Sequence, residues 1–273
     1  MSPTTSSVKR QQESNIMLKI VADADIPFLR GILEPFAEVD YIPGDAFDSG
    51  HIKSACALII RTRTKCNEKL LKGSQVKFIA STTIGIDHID TEYCKNNNIK
   101  WINAPGCNST SVQQYLALAL TRLAEKKGTP LYGKTLGIIG SGNVGSKMEK
   151  LARLLGMRVL VNDPPRARDE GTKSFVELED LLTGYDIISL HVPLTFNGEY
   201  KTYHLMDSKQ FSLMKKGVWL INTARGEVVN SHVLFQEMQK GAIGASILDV
   251  WENEPYINPN LVEYTDIATP HIA

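Results

Sequence analysis

The sequence has no charge of either sign to spare. Thirty Lys and Arg residues face thirty Asp and Glu residues over 273 positions, so the basic excess expected of proteins that grip nucleic acid or an anionic membrane surface is missing. Cysteine is scarce too. Cys56, Cys66, Cys94 and Cys107 form no C-x-x-C pair, which leaves no zinc or other metal site and no disulfide framework to expect; reduced thiols are the reading. No apolar run approaches the ~18 residues needed to span a bilayer. The polar start, MSPTTSSVKRQQESN, has no apolar stretch of the secretory kind, and residues 1–16 read as a disordered extension. These absences lead to an expectation of a soluble, cytoplasmic protein without nucleic-acid or membrane partners.

What is present is material for cores: 42% of the residues are hydrophobic, and the length suits two domains or one large one. From Met17 short apolar runs alternate with amphipathic stretches. MLKIVAD, ALIIR, VKFIAS and IKWIN read as strands, with helices expected over IPFLRGILEPF, NEKLLKG and DTEYCKNN. Unbroken Val, Ile and Leu strands separated by helices imply parallel sheets covered on both faces. A long helix is predicted over 109–126, with Asn108 or Ser109 able to cap it. A second series of strands and helices follows from Thr135, through TLGIIG, RVLVND, DIISLHVP, VWLINTA, GASILDV and DIATPHI. The fold class expected is α/β, with two doubly wound parallel sheets.

The first turn of that second series, GIIGSGNVGSKM, carries Gly140-x-Gly142-x-x-Gly145. Glycine-rich turns are common, but this one leaves an apolar strand and opens a helix. Gly140 permits the tight turn, Gly142 lets backbone approach a pyrophosphate, and Gly145 lets helix and strand pack closely. The helix start offers N–H groups and partial positive charge to an anion. An acid is then required at the end of the next strand, and VLVNDPPR supplies Asp163. Its carboxylate suits ribose hydroxyls and repels a 2′-phosphate, favouring NAD over NADP; Arg166 nearby weakens that preference. The bland alternative is a bare turn with Asp163 as a helix cap.

Three later strands end in polar residues: VWLINTARG in Arg225, ASILDVWENEP in Asp249 and Glu254, DIATPHIA in His271. Ligands of open α/β sheets bind at the carboxyl ends of strands, so these side chains can converge. Their types suit hydride transfer from a secondary alcohol. A histidine takes the hydroxyl proton near neutral pH, a carboxylate on its other ring nitrogen orients it, and an arginine binds a substrate carboxylate by two hydrogen bonds. Singly, His271 also fits a surface position, Glu254 a solvated loop and Arg225 a structural ion pair.

Taken in order, GIIGSGNVGSKM, HVPLT, NTARGEVVN, LDVWENEP and TPHIA resemble the D-2-hydroxyacid dehydrogenase family over most of the chain. The resemblance implies a flavodoxin-like substrate domain over 17–108 and a Rossmann NAD-binding domain over 109–273, including the interdomain helix, with a cleft between them. It implies Arg225, Glu254 and His271 as the catalytic set. Asn143, Val144, Val192, Thr223 and Ala224 would lie along the cofactor, and Asp249 would contact the nicotinamide carboxamide. His191 and His204 match no catalytic position.

RTRTKCNEKLL, STTIGIDHID, APGCNSTSVQQY and NDPPRARDEG are closest to the branch of the family that oxidises 4-phosphoerythronate in vitamin B6 synthesis. That likeness implies Thr62 and Thr83 as substrate contacts. Thr62 stands where the branch has serine, and Gln114 where it usually has glutamate. The partner would be a small phosphorylated 2-hydroxy acid, with Arg61, Arg63 and Lys65 as nearby charge; strand geometry would split that run between two faces. Cys107 reads as a cleft or packing residue rather than a nucleophile. The alternatives are another D-2-hydroxyacid dehydrogenase, of the 3-phosphoglycerate or glycerate type, or a non-catalytic NAD-sensing protein. The family forms homodimers, and its usual C-terminal return helices and dimerisation region find no counterpart after His271, as in a short form or a fragment.

Overall fold

The computed structural model describes residues 18–171 and 174–273; the extension expected over 1–16 lies outside them. The chain divides into two compact units, one running to Ala104 and the other from Pro105 to Ala273.

In the first unit five strands, β1 (Leu18–Asp23), β2 (Ala37–Ile42), β3 (Ala57–Ile60), β4 (Phe78–Ser81) and β5 (Lys100–Ile102), form a sheet in the order β2-β1-β3-β4-β5. Every pairing is parallel, and the order is the flavodoxin-like one. Val21, Leu58, Ile60 and Ile79 are fully buried at its centre, where a parallel strand has protein on both faces. Two short helices accompany it: α1 (Glu68–Leu71), capped by the Asn67 side chain, and α2 (Thr91–Asn96), capped by Asp90.

The helix expected over IPFLRGILEPF does not form; residues 26–36 are a chain of turns. Pro27 and Pro35 lack the N–H a helix interior needs. Phe28 at φ 61° and Gly31 at φ 86° lie in the left-handed region. The Glu34 carboxylate takes the Gly31 and Leu33 N–H groups instead of leaving them to carbonyls. Amphipathic spacing was misread there, and β2, directly after it, was not anticipated. The alternation expected over Arg61–Lys65 also fails, because β3 stops at Ile60 and a turn follows. Thr64 folds inward to donate to the Gly44 carbonyl at 2.8 Å.

The second unit holds β6 (Thr135–Ile139), β7 (Arg158–Asn162), β8 (Ile187–Leu190), β9 (Val218–Asn222), β10 (Ile243–Leu248) and β11 (Ile267–Ala268). They form one all-parallel sheet in the order β11-β10-β9-β8-β6-β7. Every residue of β6, β8 and β9 is buried. Helix α3 (Ser109–Lys126) runs over the predicted span. Neither proposed side chain caps it: Asn108 makes no cap bond, and the Ser109 hydroxyl donates to the Gly106 carbonyl. The remaining helices are α4 (Gly145–Leu154), α5 (Pro164–Glu170), α6 (Leu178–Gly184), α7 (Ser208–Leu213), α8 (Ser231–Gln239) and α9 (Pro259–Tyr264). Strand order reverses at β6, which pairs with β7 on one side and β8 on the other. In such a sheet that reversal opens a crevice at the strands' carboxyl ends.

Candidate active site

At the reversal point the turn after β6 runs into α4. Gly140 has φ 89°, and a β-carbon there would meet the His191 carbonyl and Val192 Cγ1, both at 2.8 Å. Gly145 packs so tightly on the Gly140 carbonyl that a β-carbon has no room. Gly142 differs: nothing lies within 4 Å of the position its β-carbon would take. The turn is thus closed toward the protein and open at Gly142, where the α4 N-terminus can receive an anion. Asn143 lies against Gly106, whose β-carbon would come within 2.9 Å of its Cγ.

Asp163, at the end of β7, does two things. Oδ2 accepts the Ser141 N–H at 2.7 Å, bracing the glycine turn, and Oδ1 accepts the Arg166 N–H at 3.1 Å, capping α5. The capping role and the placement beside the turn therefore coexist. Arg166 is engaged by its neighbours: its guanidinium donates to both Glu170 oxygens at 2.7 Å and to the Ser141 carbonyl at 2.6 Å.

The acid–base candidates come together at the carboxyl ends of β9, β10 and β11. His271 Nδ1 is 2.8 Å from Glu254 Oε2. The other Glu254 oxygen accepts the Trp251 backbone N–H at 2.8 Å. Burial opposes the Glu254 charge, but the His271 bond and charge, the Trp251 N–H and Arg225 outweigh it, and its carboxyl stays below the usual range. His271 is raised, first by its Glu254 bond and against the cost of burial. Its Nε2 has no hydrogen-bond partner among the described residues, and 42% of the side chain remains exposed, so a substrate hydroxyl can reach it.

Asp249, buried at the end of β10, anchors the His271 segment. It accepts the Thr269 hydroxyl at 2.6 Å, the Ile272 N–H at 2.9 Å and the Ala273 N–H at 3.0 Å, while its carbonyl takes the His271 N–H at 2.7 Å. Those bonds hold His271 at φ 57°, a conformation a non-glycine residue keeps only when its surroundings impose it. Tyr115 of α3 adds a 2.7 Å bond to the Thr269 hydroxyl. Asn222 shapes the loop after β9: its side chain accepts from Ala224 N–H and donates to the Arg225 carbonyl. The Thr223 hydroxyl is buried in that loop without a hydrogen-bond partner among the described residues. Sequence reasoning did not single out Tyr115, Thr269 or Asn222, because each acts through a partner distant in sequence or through a backbone group.

Thr62 and Thr83 belong to the first unit, in the loops after β3 and β4 on the carboxyl edge of its sheet. Thr62 is exposed; Thr83 hydrogen-bonds the Ser81 hydroxyl at 2.8 Å. Arg61 donates to the Asp25 carbonyl, and Arg63 lies 3.9 Å from the Asp25 carboxylate. His191 is structural: burial pushes its imidazole down to about 4, and it hydrogen-bonds Ser189. His204 pairs instead with Glu252 at 2.7 Å. Burial pushes the Cys66 thiol up to about 12, that of an inert core residue.

Residues 109–273 match the family described as D-isomer specific 2-hydroxyacid dehydrogenase, NAD binding domain. The chain belongs to this family. Among curated relatives, the erythronate-4-phosphate dehydrogenase of Bacteroides fragilis is 48% identical over 257 residues, covering 94% of this chain and 74% of its own length. That of Bacteroides thetaiotaomicron is 50% identical over 260 residues with the same coverage. Among solved structures, a D-lactate dehydrogenase of Aquifex aeolicus complexed with NAD and lactic acid aligns with a TM-score of 0.78 at 29% identity, over 93% of this chain and 88% of that one. A cofactor-bound 3-phosphoglycerate dehydrogenase of Entamoeba histolytica aligns at 0.77 and 30% identity, over 93% and 87%. As a D-isomer specific 2-hydroxyacid dehydrogenase the protein is an NAD-dependent oxidoreductase. The open face at Gly142, the helix start behind it and the partnerless Thr223 hydroxyl fit a dinucleotide.

Proposed function

We propose that the protein oxidises 4-phospho-D-erythronate to (R)-3-hydroxy-2-oxo-4-phosphooxybutanoate, the NAD-dependent step of vitamin B6 synthesis. The 2.8 Å pair of His271 and Glu254, past the carboxyl ends of the strands in the sheet that also carries the glycine turn, supports the reaction type; the relatives at 48–50% identity support the substrate.

His271 Nε2 takes the proton of the 2-hydroxyl as the C2–H bond breaks, and Glu254 on Nδ1 stabilises the resulting imidazolium. Arg225 binds the substrate carboxylate and polarises the developing carbonyl. NAD, when bound, supplies the hydride acceptor. Gly140, Gly142, Asn143, Val144, Gly145, Asp163, Val192, Thr223 and Ala224 are assigned to holding it, and Asp249 to its carboxamide. Thr62 and Thr83 are assigned to the substrate, and Arg61, Arg63 and Lys65, in the same segment as Thr62, are offered as charge for its phosphate. A cytoplasmic location and the homodimer usual in the family belong to the same proposal.

A panel of D-2-hydroxy acids assayed for NADH formation, each with and without a terminal phosphate, tests the substrate. A clear preference for 4-phosphoerythronate is expected. Preference for lactate, glycerate or 3-phosphoglycerate would move the protein to another branch of the family, and no turnover with any of them would refute the reading.

A further inference from the structure

We propose that Trp251 is a positioning residue for this chemistry, tying the loops of Arg225, Glu254 and His271 to one another. The inference rests on the catalytic roles just assigned to those three residues. Trp251 lies in the loop after β10, two residues past Asp249, is 4% exposed, and packs in the core that includes Leu190, Leu220, Val228 and Leu248. Three separate contacts leave it. Its backbone N–H donates to Glu254 Oε1 at 2.8 Å. Its indole Nε1–H donates to the Thr269 carbonyl at 2.8 Å, two residues before His271. Its own carbonyl is packed against Gly226, next to Arg225, so closely that any β-carbon at 226 would collide with it.

The neighbouring Glu252 keeps this segment from sliding. Its carboxylate is held by His204 at 2.7 Å and by the Ser231 N–H at 3.1 Å. Any large apolar side chain could fill the core below. Only tryptophan among aromatic residues both fills it and presents an N–H to the Thr269 carbonyl. That bond joins the loop of the carboxylate to the loop of the imidazole, and so sets the separation of the two groups. A change in that separation is costly, because a misplacement of about 1 Å between reacting groups can cost ~10²-fold in rate.

The test replaces the N–H while keeping the ring. Trp251→Phe is expected to lower kcat about tenfold, the size of one lost hydrogen bond expressed in the transition state, while NADH affinity, read by fluorescence titration, stays unchanged. The groups that face His271 are Glu254, Arg225 and Asp249. Loosening the first of them removes the main influence that raises the imidazole, so the inflection of kcat against pH should move to lower pH. A folded variant with wild-type kcat and inflection overturns the proposal, and so does a fall in kcat with the inflection unmoved. Where Trp251→Phe does not fold, benzothienylalanine at position 251, with sulfur in place of the N–H, gives the same two outcomes. His271→Gln separates this from the parent reading: if its inflection equals that of the wild type, the inflection does not belong to His271, and the catalytic assignment fails before Trp251 is judged.

Discussion

The Nδ1 of His271 is bound to Glu254 at 2.8 Å although seventeen residues separate them in sequence. That bond decides which ring nitrogen is left for substrate. With Nδ1 occupied, Nε2 is the only site from which the imidazole can take a proton. His271→Ala should therefore lower turnover by roughly 10²-fold or more. The substitution leaves Asp163 and the glycine turn untouched, so NADH should bind as before in a fluorescence titration. Wild-type turnover in the variant would remove His271 from the mechanism.

Glu254→Gln keeps a side chain able to accept from Nδ1–H and removes the charge. The sign follows from the opposed influences on His271: Glu254 raises its pKa, while burial and Arg225 lower it. Without the carboxylate the imidazole titrates at lower pH, and the rise of kcat with pH in the oxidation direction should shift the same way. Turnover should also drop about 10- to 100-fold, the worth of a charge-assisted hydrogen bond to the developing imidazolium. Stability carries a matching signature. The raised His271 stabilises fully below 6.5, its ordinary value, and that contribution fades as pH rises through its folded pKa. The lowered Glu254 stabilises fully above 4.5 and fades as pH falls through its own folded pKa. The melting-temperature gap between wild type and variant should be widest between those two values and narrow on either side.

Local rules carried the reading where one segment decides its own structure. TLGIIG is a buried strand because it offers no polar residue to solvent, and 109–126 is a helix because its apolar residues recur at helical spacing. The stretch 26–36 has similar spacing, yet two prolines and a glycine with positive φ break it, and there the pattern misled. At the site, residue types at strand ends marked Arg225, Glu254 and His271. What holds them was not legible: Asp249 meets Thr269 across twenty residues, Tyr115 meets Thr269 across more than a hundred, and the Trp251 indole finds a backbone carbonyl. Pairings of that length depend on the folded topology, which no single segment contains.

Asp163 bears on the choice of dinucleotide. Its carboxylate stands beside the glycine turn, and the nearby Arg166 is engaged by Glu170 through two 2.7 Å bonds. A 2′-phosphate would thus meet a negative charge and a cation already committed. Asp163→Ala should raise the ratio of kcat/KM for NADP over NAD by about tenfold or more, since a like-charge repulsion at close range exceeds ~1.4 kcal/mol. Adding Glu170→Ala, which frees the guanidinium for bidentate phosphate binding, should raise it further. The single variant also loses the α5 cap, at about 1 kcal/mol of stability. An unchanged cofactor ratio in both variants would show that selectivity lies elsewhere in the site.

The glycine turn permits a paired test in which fold and function part company. Gly145 is pressed against the Gly140 carbonyl, whereas Gly142 has nothing within 4 Å. Gly145→Ala forces backbone against backbone, which cannot yield as a flexible side chain would, and overpacking of this kind costs about 1–3 kcal/mol. At about 2–4 °C per kcal/mol for a unit of this size, the melting temperature should fall by several degrees. Gly142→Ala adds a methyl group to empty space, so the melting temperature should hold. That space is where the pyrophosphate of a bound dinucleotide would approach the backbone. NADH affinity should therefore weaken by about tenfold or more, the equivalent of ~1.4 kcal/mol. Equal affinity in Gly142→Ala and wild type would mean that the dinucleotide does not approach the turn at this residue, and the assignment of Gly142 to cofactor binding would have to be withdrawn.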